Sequence, residues 1–438
     1  MVLALGWSVH AESAEHVVPF VSAPSVGTLE CPNQVIRPKP QTPPPPREAP
    51  PVDAQIPTIA ELGPLAQTVI REQPSIDPQT IPAMALRNPE QPRHIAIWGD
   101  SHIAAGPFMP TLLEALRMDG ITIGAYYLPP TMGRANVHLP QLRTACVGPG
   151  WNTELSYTSA PSLTSGPALA NRTAVAGPDS YLWLDLRSTS SRSAIRQLRI
   201  VYRASVHSVL DLSVNDGDES HIPLEASSDS QALTLRGDAS ISTIKLRLTQ
   251  GSVTLYGFVL DYVNQPALTF DVFGLPSATI RGWANADPDY LRRSLQGVNY
   301  DGVILEYGTN EGNDLHFDRG RYASTLTQAL SNLRRVFPYA SCVLIGPPDR
   351  GVLRDRGASR NLLMFGRIHQ QIEVTQREVG RHFGCVTWNW QDLMGGPGGS
   401  YGWFYASPSL MGHDLTHLSS DGYKQTGRAL ARSLGWWR

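Results

Sequence analysis

The chain has 438 residues, 41% of them hydrophobic, which is enough to bury a sizeable core in two or three domains. Its 36 Lys and Arg face 38 Asp and Glu, a net charge of −2, so no overall basic field exists to gather nucleic acid or an anionic lipid surface. The four cysteines, Cys31, Cys146, Cys342 and Cys385, form no C-x-x-C pair; a zinc site has nothing to build on, and one structural disulfide stays open.

The N-terminus, "MVLALGWSVHAESAEH", offers a short apolar stretch followed by Val9-His10-Ala11, close to the small-x-small pattern cut by signal peptidase, although a basic n-region is missing. Residues 1–16 read as a signal peptide, with an ordinary tail as the alternative. Residues 17–58 read as a proline-rich linker. Within it "RPKPQTPPPPREAPPV", residues 37–52, cannot form a helix interior or a central strand, because proline lacks the amide donor and fixes φ. No later segment approaches the roughly 20 apolar residues that span a bilayer.

From His94 the pattern turns α/β. "HIAIW" is a short buried-type strand, and "PFMPTLLEALRMDG" carries Leu112, Leu113 and Leu116 at helical spacing before a stop at Gly120. The alternation returns later. "GVILEYG" and "CVLIGPP" read as buried strands, with "YASTLTQALSNLRRVF" and "NLLMFGRIHQQIEVTQREVGRHFG" as helices, which predicts a parallel sheet with crossover helices. Between these parts the period changes to 2, as Ile244, Leu246 and Leu248 alternate with Lys245 and Arg247. The expected organisation is an α/β domain over 59–150 and 268–438, interrupted over 151–267 by an antiparallel β-sandwich of about six to eight strands.

The strand "HIAIW" ends abruptly in Gly99, Asp100, Ser101 and His102. A serine hydroxyl is a poor nucleophile until a neighbouring base takes its proton, and Gly-Asp-Ser alone often marks an ordinary turn. Two distant stretches supply what is missing. "ILEYGTNEGND" sets Asn310 at the carboxyl edge of the sheet, where its amide can donate to an oxyanion or merely close a turn. "HDLTHLSSDG" sets Asp414 three residues before His417, a spacing that lets the carboxylate hold the imidazole tautomer.

In this order the three motifs resemble the SGNH, or GDSL-type, hydrolases: Gly99-Asp100-Ser101 the first block, Gly308-Thr309-Asn310 the third and Asp414-Leu415-Thr416-His417 the fifth. The resemblance covers the chain from about His94 to the C-terminus and implies a flavodoxin-like three-layer α/β/α fold. It also implies a Ser101, His417, Asp414 triad and an oxyanion hole made by Ser101, Asn310 and a second-block glycine. Gly274 in "DVFGLPSAT" is the first candidate for that glycine and Gly133 the alternative. His102 and Glu311 depart from the residues usual after the serine and the asparagine.

Within that superfamily the Gly-Asp-Ser-His block, the inserted sandwich and "WNWQDLMGGPGGSYGWF" resemble bacterial peptidoglycan and exopolysaccharide O-acetylesterases, whose insert is like a carbohydrate-binding module. The expected substrate is an acetylated polysaccharide in the periplasm or outside the cell, with envelope polysaccharide-modifying proteins as possible partners and no cofactor or metal. Tyr401 and Trp403, on a glycine-rich loop, and His102 are the candidate substrate contacts. Trp388 and Trp390 read as core. Asp314, His316 and Asp318 read as a solvated loop and not as metal ligands. An O-acyltransferase with the same triad, or a polysaccharide-binding accessory, are the competing functions.

Overall fold

The computed structural model describes residues 16–23, 25–32, 56–86, 91–140, 142–159, 164–187, 194–354 and 361–437. Most of the expected signal peptide and the proline run 37–52 lie outside them. What is described of the expected linker is not all tether. His16–Phe20 is a strand paired in parallel with Gln231–Ile241, and Cys31 is disulfide-bonded to Cys146. Val18 alternates into the core between exposed neighbours there, a period-2 signal that the proline-rich composition downstream obscured.

Six strands form one parallel sheet, in the order Cys385–Trp388, Ser341–Ile345, Gly302–Glu306, Arg93–Gly99, Leu268–Gly274 and Ile123–Gly124. Leaving aside the two-residue edge strand, this is the 2-1-3-4-5 order of flavodoxin-like sheets. Alternate side chains of each strand enter opposite cores. Ala96, Trp98, Val303 and Leu305 point into one, Ile95, Ile97, Ile304 and Val343 into the other. Helices cover both faces, Arg319–Val336 on the first core and Ser420–Ser433 on the second. Because both faces are buried, these strands read as continuous apolar runs. Chain order reverses direction at Arg93–Gly99, which opens a crevice at that strand's carboxyl end.

Between Gly124 and Leu268 the chain builds most of two further sheets, one of seven strands and one of five, antiparallel except at His16–Phe20. Leu198, Ile200, Leu233 and Leu235 of one face Leu182, Leu184, Leu210 and Leu246 of the other in a single core. These sheets are larger than the sequence pattern suggests and start before Trp151. Tyr127–Leu128 pairs with Ser252–Tyr262, and Thr144–Val147 pairs with Tyr181–Asp185. The first is two residues long and the second four, too short to display a period.

The two bodies are joined by buried polar contacts. Asp271, on a parallel strand, accepts from the amides of Tyr126 and Tyr127 at 2.7 and 2.9 Å and from the Tyr300 hydroxyl at 2.6 Å. Trp98 donates its indole N–H to the Pro167 carbonyl at 2.7 Å, and Asn285 donates to the Ser156 and Ser159 carbonyls. A second disulfide joins Cys342 and Cys385, register partners on adjacent parallel strands. Among the described residues no helix is long and apolar enough to cross a membrane.

Candidate active site

Gly99 ends its strand where nothing larger fits. A Cβ there would lie 2.2 Å from Ile103 and 2.8 Å from a Glu306 carboxyl oxygen. Asp100 then caps a one-turn helix, Ser101–Ala104, accepting from the His102 amide at 2.9 Å. The strand therefore stops sharply and delivers Ser101 to the crevice. Its amide, the first of the helix, has no intrahelical acceptor.

Ser101 Oγ lies 3.0 Å from His417 Nε2, and His417 Nδ1 lies 2.6 Å from Asp414 Oδ2. The other Asp414 oxygen accepts from the amides of Thr416 and His417 at 3.0 and 2.9 Å. A left-handed Leu415, φ 52°, folds the intervening residues back so that one carboxylate meets both the backbone and the ring. The Asp414 hydrogen bond raises the His417 pKa against the opposing effect of burial. Burial alone would raise Asp414, but the hydrogen bonds from His417 and Thr416 outweigh it and hold the carboxyl well below its usual range. The geometry provides a hydroxyl, a base in contact with it, and a carboxylate fixing that base.

Asn310 Nδ2 donates to the Ala278 carbonyl at 2.9 Å and makes a long 3.4 Å contact with Asp100 Oδ2. The second hydrogen is weakly held and free to turn toward a stronger acceptor. Below it, the Asp100 amide donates to Glu306 Oε2 at 3.2 Å, and both carboxyls are fully buried. Burial pushes Asp100 up to about 6. Burial and the neighbouring Asp100 charge push Glu306 well above the carboxylate range, so Glu306 keeps its proton. Glu311, also raised by burial, to about 7, accepts from the Ile280 amide at 2.8 Å.

Four residues that the sequence pattern offered for the site take other roles in the structure. Tyr401 is fully buried; its hydroxyl accepts from the Val352 amide at 2.8 Å and donates to the Leu362 carbonyl at 2.9 Å. Trp403 is equally buried and donates to the Val69 carbonyl at 2.7 Å. Neither is available to substrate, because the glycine-rich segment folds inward as a core element. His102 is buried too. Its Nδ1 meets the Tyr423 hydroxyl at 3.0 Å, and burial holds its pKa well below the usual value, so it backs the site as a neutral ring.

Gly274, the fourth, has a packing explanation. A Cβ there would meet the Ala104 amide at 2.4 Å, and Leu275 already donates to the Gly99 carbonyl. Strand amides alternate in direction, so the Gly274 N–H faces away from the Ser101 strand. Gly133, at φ 70°, packs a turn against Val147. The backbone feature that sequence reading missed is Ser277: exposed, left-handed at φ 66°, and adjacent to the carbonyl that Asn310 grips. Nothing in the sequence marks it, since a serine does not announce a positive φ.

The remaining candidates have structural roles. Trp388 and Trp390 are buried, with indole N–H groups on Ser433 and Thr426, both at 3.1 Å. Asp314 accepts from the His316 amide, and Asp318 caps the helix Arg319–Val336.

The fold has a counterpart among solved structures. Its match to the structure of a peptidoglycan O-acetylesterase has a TM-score of 0.63 at 19% identity, covering 84% of this chain and 98% of that one. Two more distant likenesses, each with a TM-score of 0.28 and 12% identity, are a carbohydrate esterase family 2 enzyme with a carbohydrate-binding domain from Corynascus thermopiles (Myceliophthora fergusii) and the salicylyl-acyltransferase SsfX3. The first covers 67% of this chain and 98% of its own, the second 70% and 96%. The sequence matches no protein-family model and no curated protein.

Proposed function

We propose that this chain is a serine esterase that removes O-acetyl groups from a bacterial cell-wall or extracellular polysaccharide. The observation that carries the proposal is the alignment of Ser101, His417 and Asp414 at the crevice, with 3.0 and 2.6 Å between successive partners. His417 takes the Ser101 proton as Oγ attacks the acetyl carbonyl, while Asp414 holds the ring and stabilises the imidazolium. The Asn310 amide and the Ser101 backbone N–H receive the developing oxyanion. The third donor is assigned to Ser277 in place of Gly274, since its amide meets no backbone acceptor among the described residues and sits one residue from Ala278. His417 then protonates the departing sugar hydroxyl, and water releases acetate from the acyl-enzyme by the reverse sequence of proton transfers.

The likeness in fold to a peptidoglycan O-acetylesterase supports the substrate class. The two antiparallel sheets are proposed to be an inserted carbohydrate-binding sandwich, with the hydrolase formed by the segments before and after it. Two disulfides suit an oxidising compartment, which supports a periplasmic or secreted location. The test is a product assay on an acetylated oligosaccharide with and without an unacetylated acceptor. Free acetate that the acceptor does not suppress is expected. Acetylated acceptor in its place would make the chain a transferase, and no turnover would remove the catalytic reading.

A further inference from the structure

One cavity of about 570 Å³ lies among Arg93, Asp301 and Ser341, where the parallel strands begin. That is the end of the sheet opposite Ser101, so it cannot serve the same chemistry. A second cavity, about 360 Å³, has Asn310 itself in its wall. We propose that this second cavity is a subsite for a sugar ring beside the acetylated one, with Glu311 as its polar anchor, so that the enzyme reads a stretch of polysaccharide as well as an ester. The inference rests on the esterase reading and adds to it where the chain beyond the acetyl group is held.

The walls come from four separate stretches of chain. Tyr157 follows the strand Trp151–Leu155 of the antiparallel body, Arg281 opens a short helix, Asn310 and Glu311 follow the strand Gly302–Glu306, and Phe317 and Thr325 lie at and along the helix Arg319–Val336. Phe317 and Tyr157 are half-buried, each leaving part of an apolar ring to the cavity. Phe317 is set by Tyr322 at 5.6 Å, and Tyr157 is fixed by its hydroxyl on the Pro276 carbonyl at 3.1 Å. Aromatic faces with a few polar groups between them suit a ring whose faces are apolar and whose rim is hydroxyl.

Glu311 supplies the specific polar element. One oxygen is taken by the Ile280 amide; the other, Oε2, is shielded from solvent with no hydrogen-bond partner among the described residues. A buried oxygen left unmet is unfavourable, and a sugar hydroxyl would satisfy it once the Glu311 side chain turns toward the cavity. The volume falls near the lower end of the roughly 300–1,000 Å³ typical of small-ligand sites, which fits one ring with a substituent. The wall group Asn310 is also the oxyanion donor, so a ring seated here lies next to the ester under attack.

The test uses the full chain. Binding of cellotetraose and chitotetraose to the Ser101→Ala protein is measured by calorimetry, alone and with Thr325→Trp, which fills the cavity from its outer helix, or with Phe317→Ala. At least one oligosaccharide is expected to bind, and either second substitution to weaken it about tenfold or more. In the Ser101 background, Thr325→Trp is expected to raise KM on an acetylated oligosaccharide several-fold more than KM on p-nitrophenyl acetate, since an acetyl group alone does not reach the subsite. The subsite is overturned if neither oligosaccharide binds, if filling the cavity leaves affinity unchanged, or if the small ester loses activity in proportion. If the parent hydrolyses no acetyl ester at all, the esterase reading fails, and the binding comparison still decides whether the cavity holds sugar.

Discussion

The parallel and antiparallel bodies use buried polar groups in opposite ways. At the carboxyl ends of the parallel strands, Asp100, Glu306 and Glu311 crowd beneath Ser101 and Asn310, and burial raises all three. In the antiparallel body, Asp185 and Asp211 meet Arg187, His221 and Arg247 near the surface. Burial would raise both of these carboxyls, but the pairing outweighs it and holds them below the ordinary value. The first arrangement costs stability and fixes a reactive crevice. The second is what a scaffold does with its charges. A site is where a fold tolerates carboxyls that it would otherwise pair or expose.

The comparison breaks most easily at Ser101. Ser101→Ala is expected to lower kcat by about 10⁴ or more with an unchanged melting temperature, because it removes the nucleophile and fills no space. Purified, folded mutant that retained near-parental turnover would falsify the division of labour between the bodies. Asn310→Ala should come next, losing about 10² to 10³ in kcat with a smaller change in KM, since the amide acts on charge that develops in the transition state. A raised KM with kcat unchanged would instead make Asn310 a ground-state contact.

pH separates the two bodies further. His417 must be neutral to accept the Ser101 proton, and its contact with Asp414 raises its pKa. The acid limb of kcat/KM is therefore expected above the ordinary histidine value of about 6.5, falling about tenfold per pH unit below it. Asp414→Asn should move that limb to lower pH while cutting kcat. An acid limb unmoved by Asp414→Asn would assign it to another group.

Stability should respond differently. Asp271 and Glu311 are raised by burial to about 7, so the folded state holds protons that the unfolded chain has released. Their stabilising protonated forms are fully present below about pH 4 and are lost as pH rises through 7. The buried His102 and His369 act oppositely, but only up to their unfolded value near 6.5. The melting temperature is therefore expected to fall between about pH 6.5 and 8, and scanning calorimetry across that interval checks it. Asp271→Asn should flatten the fall. It should also cost about 1–3 kcal/mol at any pH, because its amide would face the Tyr127 N–H that now ties the bodies together.

What was legible in the sequence followed from local rules. The apolar run ending at Gly99, the donor Asn310 and the pair Asp414 and His417 each sit where a strand or turn signal says a side chain must emerge, and their order carried the fold. The short strands Tyr127–Leu128 and Thr144–Val147 were not legible, since their place depends on partners more than a hundred and about forty residues away, respectively. Ser277 was hidden because its backbone is set by the contacts around it. Tyr401 and Trp403 misled for a related reason. Glycines around aromatics suggest an open loop, but here Gly402 lies so close to Gln67 that a Cβ would meet its carbonyl oxygen at 2.0 Å, and the segment is pressed into the core.

The smallest expected effect on activity sharpens that last point. Trp403→Phe removes the indole donor to Val69 and part of a fully buried ring, so the Val69 carbonyl loses its partner and a small void opens. Together these should cost about 2–4 kcal/mol and lower the melting temperature by several degrees. The ring touches no part of the crevice surface, so kcat and KM on an acetylated oligosaccharide should stay within about twofold of the parent. A substrate-stacking tryptophan would behave in the opposite way: its loss would raise KM on the oligosaccharide, spare p-nitrophenyl acetate and leave the melting temperature alone. Measuring the three quantities on one variant therefore decides whether the aromatic, glycine-rich segment belongs to the binding surface or, with its hydrogen bonds to Val69, Val352 and Leu362, to the buried frame.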